Sequence, residues 1–370
     1  MKTKSLIIVA VLTSLSFLTS CEKDSFNPNN NIVLNESEDN FVLNKAELDI
    51  LKRGVARLSA NKNFRNAVYK SVSKKFDGDD NVLLNEVVNL YKNDFSKGYI
   101  SSEFDSIVNK LNMNGLYPQI FIPYFEESIL KGTKSNDIIY VIEALNVHDS
   151  VEFFSSIFID ENGAIANTEF LINESFASEN EVWVLSLNER VDQYGKAYKG
   201  SCTQDSYTKS NRTGTKHEYL MKIKCPNLNK IEGWVKGAPE LRLLMKSVKG
   251  EISEQYFYPD KRKQINNKWW TVDGTTGRYL YYWDVETYTK TVHFTWVEVD
   301  NFGDQLTINS SFTYKDVDKE TGQEYTGTAG LSYTIKSWDM NCGSISLHID
   351  DGMMGDTYNT GLIRFKDSYR

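Results

Sequence analysis

Histidine, cysteine and proline are scarce in this 370-residue chain, which holds four, four and six of them respectively. Four imidazoles leave little room for histidine-based chemistry. The only zincin-like start, His217-Glu218-Tyr219-Leu220-Met221, carries methionine where a second zinc-ligating imidazole must stand, and it alternates like a strand. His148 precedes Glu152 by four residues in a stretch that reads as loop and strand, where that spacing shares no face. His293 and His348 read as outward-facing strand residues. No G-x-S-x-G elbow occurs, and neither "TGTKH" nor "GTTGR" completes a phosphate-binding loop. Excess positive charge is missing too: the formal net charge is −8, which argues against nucleic acid and anionic membrane surfaces as partners. Beyond the first 20 residues there is no apolar run of the length a membrane span needs.

What is present begins with an address. Lys2 and Lys4 precede "SLIIVAVLTSLSFL", the length of a signal-peptide core. It ends in Leu18, Thr19, Ser20 and Cys21, a tetrad that resembles the bacterial lipoprotein lipobox. The resemblance implies cleavage before Cys21 and acylation of that cysteine with palmitate-type chains, more than one of which gives stable anchoring in the outer membrane. The next residues, "EKDS" (Glu22 to Ser25), are similar to the export tag of Bacteroidota-type lipoproteins. That points to the cell surface, with the periplasmic face of the outer membrane as the other reading. Loss of Lys2 and Lys4 leaves 40 basic against 50 acidic side chains, a formal charge of −10.

An acylated Cys21 leaves Cys202, Cys225 and Cys342 in an oxidising compartment. A Cys202–Cys225 bridge would close a polar loop and add about 3 kcal/mol. Reduced, buried thiols are the alternative, and the spacing does not choose between them.

Residues 21–43 are rich in Asn, Ser and acid, as a flexible tether is, and 1–20 are the signal peptide. Residues 44–132 read as a helical domain. Asn44 and Glu47 form a capping box ahead of Leu48, Leu51, Val55 and Leu58; further helices are predicted over 63–76, 81–95 and 101–113. Residues 133–213 read as a small β domain in which "DENG" (Asp160 to Gly163) turns a hairpin. Residues 214–370 offer about eight short strands without intervening helix, which suggests an antiparallel β-sandwich of the C2-like or jelly-roll kind. The expected class is therefore α+β, helical first and β-rich after.

Two sets of side chains could carry binding. Asp300 and Asp304, with Asp350, Asp351 and Asp356, fall between strands of the C-terminal region and offer oxygens to calcium; Asp77 to Asn81 ("DGDDN") is a further acidic cluster, without EF-hand spacing. Trp269, Trp270, Tyr281 and Trp283 are rings that would stack on a glycan or anchor a protein partner. Solvated turns and core aromatics explain the same residues without any ligand.

Three stretches, "FRNAVYKSVSKKFDGDDNVLL", "VWVLSLNERVD" and "IEGWVKGAPEL", resemble a group of uncharacterised bacterial lipoproteins with an F-D-G-D element, a strand ending in N-E-R and a later E-x-W-x-x-G-x-P-E. That group lends no catalytic residues. It directs attention to Asn188, Glu189, Arg190, Trp234, Gly237, Pro239 and Glu240, among which Arg190 is a candidate to pair with a carboxylate at a sheet edge or domain junction, Glu240 being one such partner. The function expected is binding or adhesion by a lipid-anchored envelope protein. A hydrolase with dispersed catalytic residues and a structural subunit of an envelope complex are the alternatives.

Overall fold

The computed structural model describes residues 43–92, 101–126, 138–145, 147–148, 151–198, 217–284, 290–300, 303, 305–317, 321–349 and 357–369. Six helices and seventeen strands occur among them, so the protein is β-rich, with its longer helices in the N-terminal part. No described helix is long and apolar enough to cross a membrane.

Helix α1 (Lys45–Ser59) starts where the sequence placed its cap. The Asn44 side chain accepts from the N–H groups of Ala46 and Glu47 at 2.9 and 3.1 Å, and the Glu47 carboxylate accepts from the Asn44 N–H at 2.9 Å. Then come α2 (Lys62–Val72), β1 (Asn81–Leu83), α3 (Leu84–Lys92) and α4 (Ser102–Met113), the last capped by Ser101. Helix α1 crosses α4 at Gly54, where a Cβ would sit 2.3 Å from the Phe104 ring. A single helix over 81–95 is corrected: Asn81–Leu83 pair with Phe121–Gln119 instead, because sheet hydrogen bonding at this buried edge outweighs the local helical pattern.

The sheet continues with β2 (Pro118–Phe121), β3 (Tyr140–Glu143), β4 (Ser156–Ile159), β5 (Ile165–Asn167) and, after the short α5 (Glu174–Glu179), β6 (Val182–Leu187). Strand order is β1-β2-β6-β3-β4-β5, antiparallel except for the β3–β6 pair. Strand β6 is apolar except for Ser186, because both of its faces are covered. Trp183 and Leu185 enter a core with Leu51, Phe64 and Phe104 of the helices, whereas Val182 and Val184 meet Trp234 and Val235 from a later segment. Residues of the expected helical and small β regions thus share one core.

The C-terminal part runs through β7 (His217–Lys224), β8 (Leu241–Ser247), β9 (Gly250–Phe257), the one-turn α6 (Arg262–Ile265), β10 (Trp270–Thr271), β11 (Arg278–Tyr282) and β12 (Thr291–Glu298). It ends with β13 (Gln305–Val317), β14 (Glu324–Lys336), β15 (Met340–His348), β16 (Thr357–Asn359) and β17 (Arg364–Tyr369). Strand β7 joins β10, β11 and β17 in one antiparallel sheet; a second has the order β15-β12-β8-β9. Leu220, Ile223 and Phe365 of the first share a core with Leu243, Met245, Phe294 and Trp296 of the second. Each of these large side chains contributes on the order of 2 kcal/mol through burial.

The β13–β14 hairpin lies against the other face of the second sheet, with Phe312, Leu331, Tyr333 and Ile335 on Leu244 and Val297. It corrects the reading of His293 as outward-facing. That ring does point away from the Phe294 core, but it stacks on Phe312 at 4.7 Å and is buried, and the burial lowers its pKa to about 4.

Candidate functional site

The three sequence stretches marked by D-G-D, N-E-R and E-x-W-x-x-G-x-P-E come together in space. Asn188, Glu189 and Arg190 follow directly on β6, the 231–240 segment leads into β8, and the 77–80 turn leads into β1. Arg190 is the hub. Its Nε donates to Glu240 Oε1, and its Nη2 donates to the carbonyls of Ala238 at 2.9 Å and Pro259 at 3.0 Å. Both members of the ion pair are at least 95% buried, and the pair is the one the sequence suggested.

Around this pair, several side-chain polar groups find specific partners. Asn188 Oδ1 accepts from the Arg190 N–H, and Asn188 Nδ2 donates to Asp77 Oδ2 and Gln119 Oε1, both at 2.7 Å. Asp79 accepts from the Ala238 N–H at 3.0 Å and the Asp80 N–H at 2.7 Å. The contact with Ala238 requires glycine at 237: φ is +103°, and a Cβ would stand 2.1 Å from Asp79 Oδ2. The carboxylates of the DGDDN turn are therefore engaged by backbone and amide N–H groups and, at Asp80, by Lys75 at 2.7 Å. They serve as caps and ion-pair partners, whereas calcium asks for six to eight oxygens around one point.

Lys236 holds the second half of the cluster, reaching Glu189 Oε1 at 3.2 Å and also Asp300 Oδ1. Glu189, Glu232 and Glu240 each offer an oxygen within 4.8 Å of the others. Five buried carboxyls, Asp79, Glu189, Glu232, Glu240 and Asp300, thus surround the two cations Arg190 and Lys236. Burial pushes Glu240 up to about 7 against the pull of Arg190, and Asp79 up to about 6. Glu189 is raised well above the usual carboxylate range, first by burial and further by Asp300, Glu232 and Glu240.

A pocket of about 310 Å³ opens over this cluster, lined by Glu189, Glu240, Tyr198, Tyr256, Tyr258 and Val299. The chain itself brings Tyr198 there. After Arg190 it turns at Asp192, whose Oδ1 accepts from Tyr194 and Lys196, and it returns so that the Tyr198 N–H donates to the Arg190 carbonyl at 2.9 Å. Tyr256 and Tyr258 flank the core residue Phe257 at the end of β9. The three rings run near-parallel, with centroids 6.3 Å (Tyr198–Tyr258) and 6.4 Å (Tyr256–Tyr258) apart.

A smaller pocket of about 100 Å³ is lined by Asp79, Asp80, Tyr124, Glu174, Trp234 and Arg262, among others. Its charged groups already have protein partners. Asp80 pairs with Lys75, Glu174 accepts from Tyr124 and Asn229, and Arg262 donates to the carbonyls of Glu232, Gly233 and Gly237. This pocket joins segments; the tyrosine-lined one, whose two carboxyls are likewise ion-paired, differs in its three aligned rings.

The other expected site residues lie apart. Of the calcium candidates, Asp300 is buried on Lys236; Asp304, Asp350, Asp351 and Asp356 are outside the described residues, as are Cys21 and Cys202. Cys225 and Cys342 are buried free thiols, and burial pushes Cys225 up to about 12. A ligand-stacking role for Tyr281 and Trp283 gives way to a core role. A register shift after Tyr279 turns Leu280 and Tyr281 inward, and Tyr281 meets Trp283 at 5.5 Å. Trp269 and Trp270 are half-buried on the β7 sheet, Trp269 beneath Lys366 at 5.3 Å. Tyr256, Tyr258 and Tyr198 carried no weight in the sequence reading, although "QYFYPD" holds the signal: alternation at period two puts both tyrosines on one face and Phe257 on the other.

Neither a family model nor a curated protein matches this chain.

Proposed function

We propose that the protein is a lipid-anchored receptor of the outer membrane that binds a small ligand in the tyrosine-lined pocket over Glu189 and Glu240. The observation that carries the binding role is that pocket, where two buried carboxyls and three aligned rings converge on one opening. The anchoring role rests on Leu18-Thr19-Ser20-Cys21, and cell-surface display on "EKDS" at Glu22 to Ser25. Residues 214–370 are then an antiparallel sandwich, a reading supported by the core that its two larger sheets share.

One observation favours a second reading, hydrolysis. Two carboxyls that face the same pocket are the minimum set of groups for acid–base cleavage of a glycosidic bond. Against it, Glu240 is clamped by Arg190 and Glu189 by Lys236, which favours holding a ligand over moving a proton.

Anchoring is tested by growing cells with labelled palmitate and comparing the native chain with Cys21→Ser. The native chain should take up label and sediment with membranes, and the variant should do neither. Label and sedimentation retained in the variant would overturn the anchoring role. Protease treatment of intact cells then separates surface display, where the chain is cut, from the periplasmic face, where it is protected.

A further inference from the structure

The lining of the pocket is one-sided in charge. Its six residues supply two carboxyls, three phenol rings and a valine, with no lysine, arginine, histidine or amide among them. An anion entering would meet carboxyls, and a neutral polyol would find only the three phenols as donors. A cation would find complementary groups in the two carboxyls and the three rings.

Spacing points the same way. An ammonium nitrogen donates to two carboxylate partners at about 2.9 Å each, which at a tetrahedral angle sets their oxygens roughly 4.7 Å apart. Oxygens of Glu189 and Glu240 lie within 4.8 Å of one another, which leaves both within reach of one ammonium group. The rings add the negative faces of their π-systems, and the array already holds one cation at its far end, the Arg242 guanidinium 5.8 Å over the Tyr256 ring. A metal ion is the poorer fit: the walls are phenyl and isopropyl surface where a hard ion wants a full shell of oxygens, and the space exceeds the ~30 Å³ of a water several-fold.

We infer that the tyrosine-lined pocket receives an organic ammonium group, held by Glu189 and Glu240 from below and by the faces of Tyr198, Tyr256 and Tyr258 from the sides. The inference rests on this pocket being the ligand site proposed above, and it adds the chemical class of the ligand.

Calorimetry on the full-length lipoprotein in a neutral detergent tests it, with tetramethylammonium and methylammonium chlorides as probes and sodium chloride as the blank. Saturable binding is expected for at least one probe, weakened ~5-fold or more by Tyr198→Ala. Tyr198 is 44% exposed, so its truncation leaves the core untouched. Glu189→Gln, which keeps the shape and leaves Lys236 its contact with Asp300, should weaken binding as well. Absence of saturable binding by both probes up to ~10 mM would overturn the inference, as would equal affinity in Tyr198→Ala or saturation by calcium chloride alone. A panel of neutral saccharides separates the two levels. Saccharide binding lost in Tyr198→Ala would overturn the ammonium class while keeping the pocket as a ligand site, and binding of neither class would remove both.

Discussion

Arg190 and Glu240, fifty residues apart in sequence, form a buried ion pair that ties the end of strand β6 to the start of strand β8. The guanidinium is anchored further by two carbonyls, of Ala238 and Pro259, so the junction between the helix-backed sheet and the C-terminal sheets is held in one geometry. Pocket residues Glu189 and Tyr198 are neighbours of this arginine, through the chain and through a backbone hydrogen bond respectively.

Gly237 is the tightest point of that junction. Gly237→Ala combines a strained backbone with a Cβ driven into Asp79 and should destabilise the fold by roughly 2–4 kcal/mol. Gly163→Ala is the control: φ is +77° there with nothing within 4 Å, so only the backbone term of about 1 kcal/mol should appear. Urea denaturation of the two variants checks this, and equal costs would show that the Asp79 contact does not matter.

Stability should depend on pH with two opposed contributions. A carboxyl whose pKa is higher in the folded than in the unfolded chain binds more protons when folded, so raising the pH through that interval weakens the fold. Glu240, raised by burial from 4.5 to about 7, and Asp79, raised by burial from 3.8 to about 6, act this way. His293 acts oppositely: burial holds it at about 4, down from 6.5, so the fold gains as pH rises across that range. Above 6.5 His293 is neutral in both states and Glu240 dominates. The urea midpoint should therefore fall between pH 6.5 and 8, and His293→Phe should remove part of the loss on acidification. A midpoint that rises from 6.5 to 8 would contradict the burial of Glu240.

Much of this was legible in the chain. The Asn44–Glu47 capping box, the Ser101 cap and the Asp160–Gly163 turn are local devices, and they form as their residues demand. Non-local effects escaped. Asn81–Leu83 is a strand only because Phe121–Gln119 lies beside it, His293 is buried only because a hairpin of thirteen-residue strands folds over it, and Tyr281 turns inward at a register shift. The Arg190–Glu240 pair was readable because an arginine ending an apolar strand must find a carboxylate. Of the tyrosine walls, Tyr256 and Tyr258 have a local signal in their alternation, whereas Tyr198 reaches them only through the turn at Asp192.

The junction beneath the pocket is tested most directly by a double-mutant cycle on Arg190→Met and Glu240→Leu, read by urea denaturation at pH 7. Each single change leaves a buried polar group without its partner, the Arg190 charge in one case and the Glu240 carboxyl in the other, and should cost ~3–5 kcal/mol, while the double variant replaces the pair with apolar groups and should cost far less than both together, a coupling of at least ~2 kcal/mol. Costs that simply add, within ~0.5 kcal/mol, would show that Arg190 and Glu240 do not hold each other and would contradict the site as described.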